Sequence, residues 1–246
     1  MPRQTTVEIP VPDASGPFVG FSAYARILEN AATTASTEAG FAPDWYAREG
    51  TIWVIRRSTI ERTADIAPGT LLSLRTWVAD FRRVRSRREY EGRVAGEVVL
   101  RGHTDWVYVE RAAGKPRRIP ETMMQGFLPD GGGEALPRAA LVIGDPPAEA
   151  RSVEWTVETG DLDLLEHVNN AKYFDYVESV ATSVVAADFR PQAHDVEYVD
   201  EARVGQRLRG TAWVVEASSS PMRIATEIRR ADDGATLPRA SSVWSC

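Results

Sequence analysis

Within residues 161–173 the chain places Asp161, Asp163, Glu166, His167, Asn169 and Asn170 immediately before a helical stripe. Backbone N–H groups at a helix start are unpaired donors and favour negative charge. A reaction passing through a tetrahedral oxyanion, such as thioester hydrolysis, suits that position. A nearby carboxylate can attack directly or take a proton from water, and a histidine can relay a proton or donate a hydrogen bond. Asn169 and Asn170 fit a helix cap or turn and are also candidates for substrate contact.

Other chemistries are poorly supplied. The chain has three histidines and one cysteine, Cys246, so neither an internal disulfide nor a Cys/His metal cluster is expected. No metal or cofactor is implied. The formal net charge of −6 argues against a general nucleic-acid binder. No apolar run approaches the length of a membrane span, and residues 1–10 lack a long apolar segment, so the expected compartment is the cytoplasm. With 43% hydrophobic and 26% charged residues in 246, the chain can bury one large core or two ordinary ones.

The elements that must position the site occur twice. Phe21, Tyr24, Ile27, Leu28, Ala31, Ala32 and Ala35 recur at helical spacing, and Gly40 lies where that helix should stop. Strand-like stretches follow at 52–55, 72–78 and 97–110. The second half repeats the pattern: Tyr173, Val177, Ala181 and Val184 form a helical stripe, and strands are expected around 153–157, 196–198, 208–214, 222–228 and 241–244. Tyr24 to Glu29 overlays Tyr173 to Glu178, while Gly69 and Trp77 overlay Gly205 and Trp213 at one common offset. The change of offset between helix and strands requires an insertion near 44–50. A repeat this long predicts duplicated domains, each an α+β layer of one central helix on an antiparallel sheet. The expected helix starts are near Ser22 and Asn170. The expected boundaries are 1–127, a Pro/Gly-rich linker over 128–150, and 151–246.

Asp163, His167, Val168, Asn169, Asn170 and Tyr173 resemble the signature Asp-x-Asn-x-His-Val-Asn-Asn-x-x-Tyr of the plant-type acyl-[acyl carrier protein] thioesterases, which have tandem hotdog domains. Downstream, residues 196–202 resemble that family's Leu-Glu-Tyr-Arg-Arg-Glu-Cys strand. In the first half, 53–57, Gly69 with 76–78, and Trp106-Val107 followed by 118–121 are similar to family segments in the same order. The resemblance implies a pseudo-dimer from one chain, and hydrolysis of acyl-carrier-protein or acyl-CoA thioesters. It implies Asp163, His167 and Glu201 as catalytic residues: the Asp supports or performs attack, the His assists, and the Glu helps activate water. Leu165 stands where the family has a catalytic Asn, and Ala202 where it often has Cys, which excludes a cysteine nucleophile there.

The first copy lacks the motif, since Asp163 and His167 fall on Ala14 and Phe18 by the helix offset. It is expected to shape an acyl pocket, with Phe18, Phe21, Trp53 and Trp77 as wall candidates. Arg82, Arg83, Arg85, Arg87 and Arg88 make a basic run in an acidic chain. It reads as a solvated hairpin or as a dock for acidic acyl carrier protein. Two other activities fit the same fold: a hotdog dehydratase or hydratase, and a non-catalytic acyl-thioester-binding protein.

Overall fold

The computed structural model describes residues 3–13, 19–128, 133–137, 142–163, 165–216 and 221–246. The chain divides into two compact units, Met1–Val19 with Arg26–Arg138, and Gly20–Ala25 with Ala139–Cys246.

The first unit contains β1 (Gln4–Pro10), most of α1 (Phe21–Glu38), α2 (Pro43–Glu49), β2 (Thr51–Arg62), β3 (Leu71–Arg82), β4 (Arg85–Val94), β5 (Glu97–Glu110) and α3 (Glu121–Phe127). Its strands pair antiparallel in the order β1-β3-β4-β5-β2. The second contains β6 (Arg151–Thr156), α4 (Lys172–Ala181), β7 (Arg190–Tyr198), β8 (Arg207–Glu216), β9 (Met222–Arg230) and β10 (Thr236–Ser245). The order there is β6-β8-β9-β10-β7, again antiparallel. The two orders are the same when β1 is matched to β6 and α1 to α4.

The repeat extends to single hydrogen bonds. Gly69 and Gly205 both turn the chain at positive φ, 76° and 80°, a region open to glycine at little cost. Their amides donate to Val11 O at 2.8 Å and Val157 O at 3.0 Å. The Trp77 and Trp213 indoles donate to Glu134 O at 2.7 Å and Ile143 O at 3.1 Å. Residues 133–137 and 142–150 therefore lie along the sheets and satisfy buried indole donors. The insertion near 44–50 is α2, opened by Pro43 and closed by Gly50.

The two long helices, α1 and α4, each bury an apolar stripe. In the first unit Leu28 packs so closely that a Cβ added to Gly102 on β5 would meet its Cδ1 at 3.0 Å. Phe41, Val78, Tyr108, Ile119, Met123 and Phe127 form a second cluster under α2 and α3. On α4 the residues Tyr173, Phe174, Tyr176, Val177, Val180 and Ala181 are buried. Val180 and Ala181 pack with Ala212, Ile224 and Trp244.

The arginine run belongs to the β3–β4 hairpin, and its members differ. Arg82, Arg83 and Arg85 are exposed, and Arg82 pairs with Asp80 at 2.9 Å. Strand alternation turns Arg88 inward, where it is 6% exposed over the Phe127 ring. Arg87 lies on the opposite face, 2.5 Å from Glu89 and bonded to Leu136 O. Neither Arg87, held by Glu89 and Leu136 O, nor the buried Arg88 is a free surface charge.

Burial raises the Glu89 carboxyl to about 7, against the lowering pull of Arg87. The folded protein therefore keeps a proton there that the unfolded chain releases near 4.5, and stability falls as pH rises from about 4.5 to about 7. Glu89→Gln should remove that slope. Urea unfolding at pH 5 and pH 8 should show the variant gaining at the higher pH, by on the order of 3 kcal/mol. Parallel pH dependence in the two proteins would contradict this.

Candidate active site

After β6 the chain makes a 3₁₀ turn at Thr159–Asp161, closed by reciprocal bonds between Glu158 and Asp161. Leu162 then bridges Val168, pinching off a small loop. Asp163 organises it. Its amide donates to His167 O at 2.8 Å, and its Oδ1 accepts from Leu165 N at 2.8 Å and His167 N at 3.4 Å. Its Oδ2 accepts no hydrogen bond among the described residues. Glu166 sits at φ 62°, an uncommon conformation for a non-glycine residue. Glu166 is thus held in a conformation that local propensity does not favour.

Asn169 joins this loop to the helix. Its amide donates to Asp161 O at 2.9 Å, its Oδ1 accepts from Ala171 N at 2.8 Å, and its carbonyl accepts from Lys172 N at 2.8 Å. Asn170 O accepts from the Tyr198 hydroxyl at 3.1 Å. The Asp161 carboxylate is anchored by the Tyr176 hydroxyl at 2.7 Å and Lys172 at 3.4 Å. Burial opposes its charge, but the Glu158 amide, Tyr176 and Lys172 hold it below the usual carboxylate range.

A second loop, 199–206, brings Glu201. It is tied to the first where Val168 N donates to Ala202 O at 2.9 Å. Asp200 Oδ1 accepts from Glu201 N at 2.9 Å, and Arg230 from β9 donates to Asp200 Oδ2 at 3.1 Å and Glu201 O at 2.9 Å. These bonds bring Glu201 Oε2 to 3.0 Å from His167 Nδ1. Arg203 Nη2 lies 2.8 Å from His167 Nε2 and 3.2 Å from Glu201 Oε1. The His167 side chain is 23% exposed and Glu201 51%, so the cluster faces solvent beside a helix start.

His167 and Glu201 are therefore in contact, while Asp163 is bonded to the backbone of the same loop. Leu165 is 40% exposed. Three of the aromatic wall candidates lie among the described residues. Phe21 is fully buried, donates its amide to Glu178 Oε1 at 2.9 Å, and meets the His194 ring edge-on. Trp53 packs with Phe81 and Tyr108. Trp77 faces the 133–137 segment, with Arg75 over its ring. Phe18 lies outside the described residues. A cavity of about 500 Å³ lined by Val184, Val185, Trp213 and Val214 opens at the far end of α4, away from His167.

Arg203, Asp200 and Arg230 complete the cluster without a motif of their own. The one sequence signal, for Asp200 and Arg203, is the charge-dense stretch Asp200, Glu201, Arg203 directly after a strand. Among the described residues no group of three His, Cys, Asp or Glu could hold a metal, and no helix is long and apolar enough to cross a membrane.

Family models match nearly the whole chain: the acyl-ACP thioesterase N-terminal domain over residues 19–127 and the C-terminal domain over 144–246. The chain is 22% identical over 253 residues to the chloroplastic oleoyl-acyl carrier protein thioesterase 1 of Arabidopsis thaliana, covering 89% of this chain and 69% of that protein. It is 23% identical over 209 residues to the chloroplastic palmitoyl-acyl carrier protein thioesterase of Gossypium hirsutum, covering 80% and 51%. Its fold is similar to an acyl-ACP thioesterase from Bacteroides thetaiotaomicron (TM-score 0.81, 17% identity, 98% of each chain). It is also similar to the 12:0-ACP thioesterase from Umbellularia californica (TM-score 0.80, 18% identity, 98% and 96% covered). With both domain models matched in order and the tandem hotdog fold in place, the chain belongs to the acyl-ACP thioesterase family and is a thioester hydrolase.

Proposed function

We propose that the chain hydrolyses acyl-[acyl carrier protein] to a free fatty acid and the carrier thiol, using Asp163, His167 and Glu201. The observation that carries this is the 3.0 Å contact between His167 Nδ1 and Glu201 Oε2 beside the α4 start. Glu201 orients the imidazole by accepting from Nδ1, which leaves Nε2 to take a proton from water. Asp163, fixed through Oδ1 by two amides, has Oδ2 left to orient that water. The water oxygen bonds to the thioester carbonyl carbon and the C–S bond breaks. The proton taken by His167 passes to the departing sulfur.

Release of thiol from acyl-carrier-protein substrate by the purified chain tests the activity. The carrier is tested by charge reversal at the exposed hairpin arginines, Arg82, Arg83 and Arg85. The triple Glu variant should raise KM for acyl-carrier substrate severalfold, and added salt should do the same to the wild type, because exposed attraction is screened. Turnover of a small carrier-free thioester should stay unchanged. Equal loss on both substrates would locate the damage in folding or chemistry and reject the docking role.

A further inference from the structure

We propose that Arg203 is a positioning residue for the reaction, fixing His167 as the tautomer that carries its proton on Nδ1. This rests on the assignment of His167 as the base. A guanidinium has five donors and no acceptor. Its Nη2 lies 2.8 Å from His167 Nε2, so that nitrogen must present its lone pair. The ring proton is then on Nδ1, facing Glu201 Oε2 at 3.0 Å. The same Nη2 reaches Glu201 Oε1 at 3.2 Å, which closes a three-residue ring of Arg203, Glu201 and His167.

The arrangement is built from the backbone. Arg203 N donates to Gln206 Oε1 at 2.9 Å, and the adjacent Ala202 O accepts from Val168 N, the residue after His167. The guanidinium and the imidazole therefore sit on two loops pinned to each other. With 57% of its side chain exposed, Arg203 contributes little stability through this pairing. Its effect is on which imidazole nitrogen is bare. In water the neutral ring prefers the proton on Nε2, the form that cannot take a proton from water at that nitrogen. Arg203 and Glu201 act on opposite nitrogens to reverse that preference. Catalysis requires the water to take the place of Arg203 at Nε2, where the ring already presents its lone pair.

The test uses the full chain and Arg203→Met. Nitrogen NMR of the imidazoles reads the tautomer directly. The chain has only three histidines, and a His167→Gln spectrum identifies the signals of interest. The wild type should show His167 bare at Nε2, and Arg203→Met should shift it toward the Nε2–H form. In parallel, kcat should fall about tenfold with KM nearly unchanged, and added guanidinium ion should restore part of the loss. Unfolding temperature should not move, as expected for an exposed side chain. An unchanged His167 tautomer in Arg203→Met overturns the proposal, as does normal kcat in a variant whose tautomer has shifted. Failure of the underlying assignment looks different: His167→Gln would hydrolyse thioester normally while the tautomer measurement still reported on Arg203.

Discussion

Replacing His167 with alanine should lower kcat by about a hundredfold or more while leaving KM close to its wild-type value. The ring takes the proton only as the water attacks, so its loss is felt in the transition state and not in substrate binding. The substitution also removes the partner of Glu201 and Arg203, but these remain paired with each other at 3.2 Å, so the loop stays satisfied. Asp163→Asn separates charge from architecture at the second position. An amide oxygen can still accept from Leu165 N and His167 N, which keeps the loop closed. The other atom becomes a donor and turns the water the wrong way, so a loss of about a hundredfold is expected there too. Glu201→Gln can still accept from Nδ1 but lacks the charge, and about a tenfold loss follows.

Leu165→Asn is the complementary experiment. Leu165 is exposed and its amide already bonds Asp163, so an amide side chain fits without repacking a core. It should raise kcat if the added group reaches the reacting oxygen. Steady-state kinetics on one thioester, with folding checked by circular dichroism, decides the series. Near-normal turnover of a folded Asp163→Asn or His167→Ala would reject the site.

The helices are legible because each buries one stripe: Phe21, Tyr24, Leu28 and Ala35 repeat at the helical period, as do Tyr173, Val177 and Ala181, while Val184, the last of the expected stripe, lies beyond the end of α4. The common offset of Gly69/Trp77 and Gly205/Trp213 was legible because both pairs perform the same task, a positive-φ turn and a buried indole. β4 is not legible in the sequence, and the reason is physical. Both of its faces are polar, Arg85, Arg87, Glu89 and Glu91 on one and Ser86, Arg88 and Tyr90 on the other, so hydrophobic alternation is absent. β1 is a short edge strand with few buried positions and gave an equally weak signal. In the site, Asp163 and His167 could be picked out from spacing at a helix start. Glu201 is distant in sequence and came only through the family resemblance. Arg203 is marked only by the charge-dense stretch it belongs to, because its place follows from the Val168–Ala202 hydrogen bond that joins the two loops. The strained Glu166 likewise carries no sequence signal.

The support beneath that site can be broken at one atom. Gly210 on β8 lies directly under α4, and an added Cβ would sit 2.4 Å from Val180 Cγ2 and 3.0 Å from the Trp155 ring. Real Cβ atoms essentially never come so close, so a neighbour must shift, and both are constrained: valine is branched at Cβ and the indole packs against Tyr176. Gly210→Ala should therefore push α4 off its sheet and destabilise the second unit by about 1–3 kcal/mol. The helix start that carries Asn169 and Asn170 would shift with it, so thioester hydrolysis should fall together with stability. Val180→Ala alone opens a cavity and costs on the order of 1–3 kcal/mol. Combined with Gly210→Ala it makes room for the new methyl, and the double variant should be more stable than the sum of the two losses by at least 1 kcal/mol. Urea unfolding of the four proteins measures this coupling. Strict additivity would mean that α4 does not rest on Gly210, and that the position of the helix start is set by the two pinned loops alone.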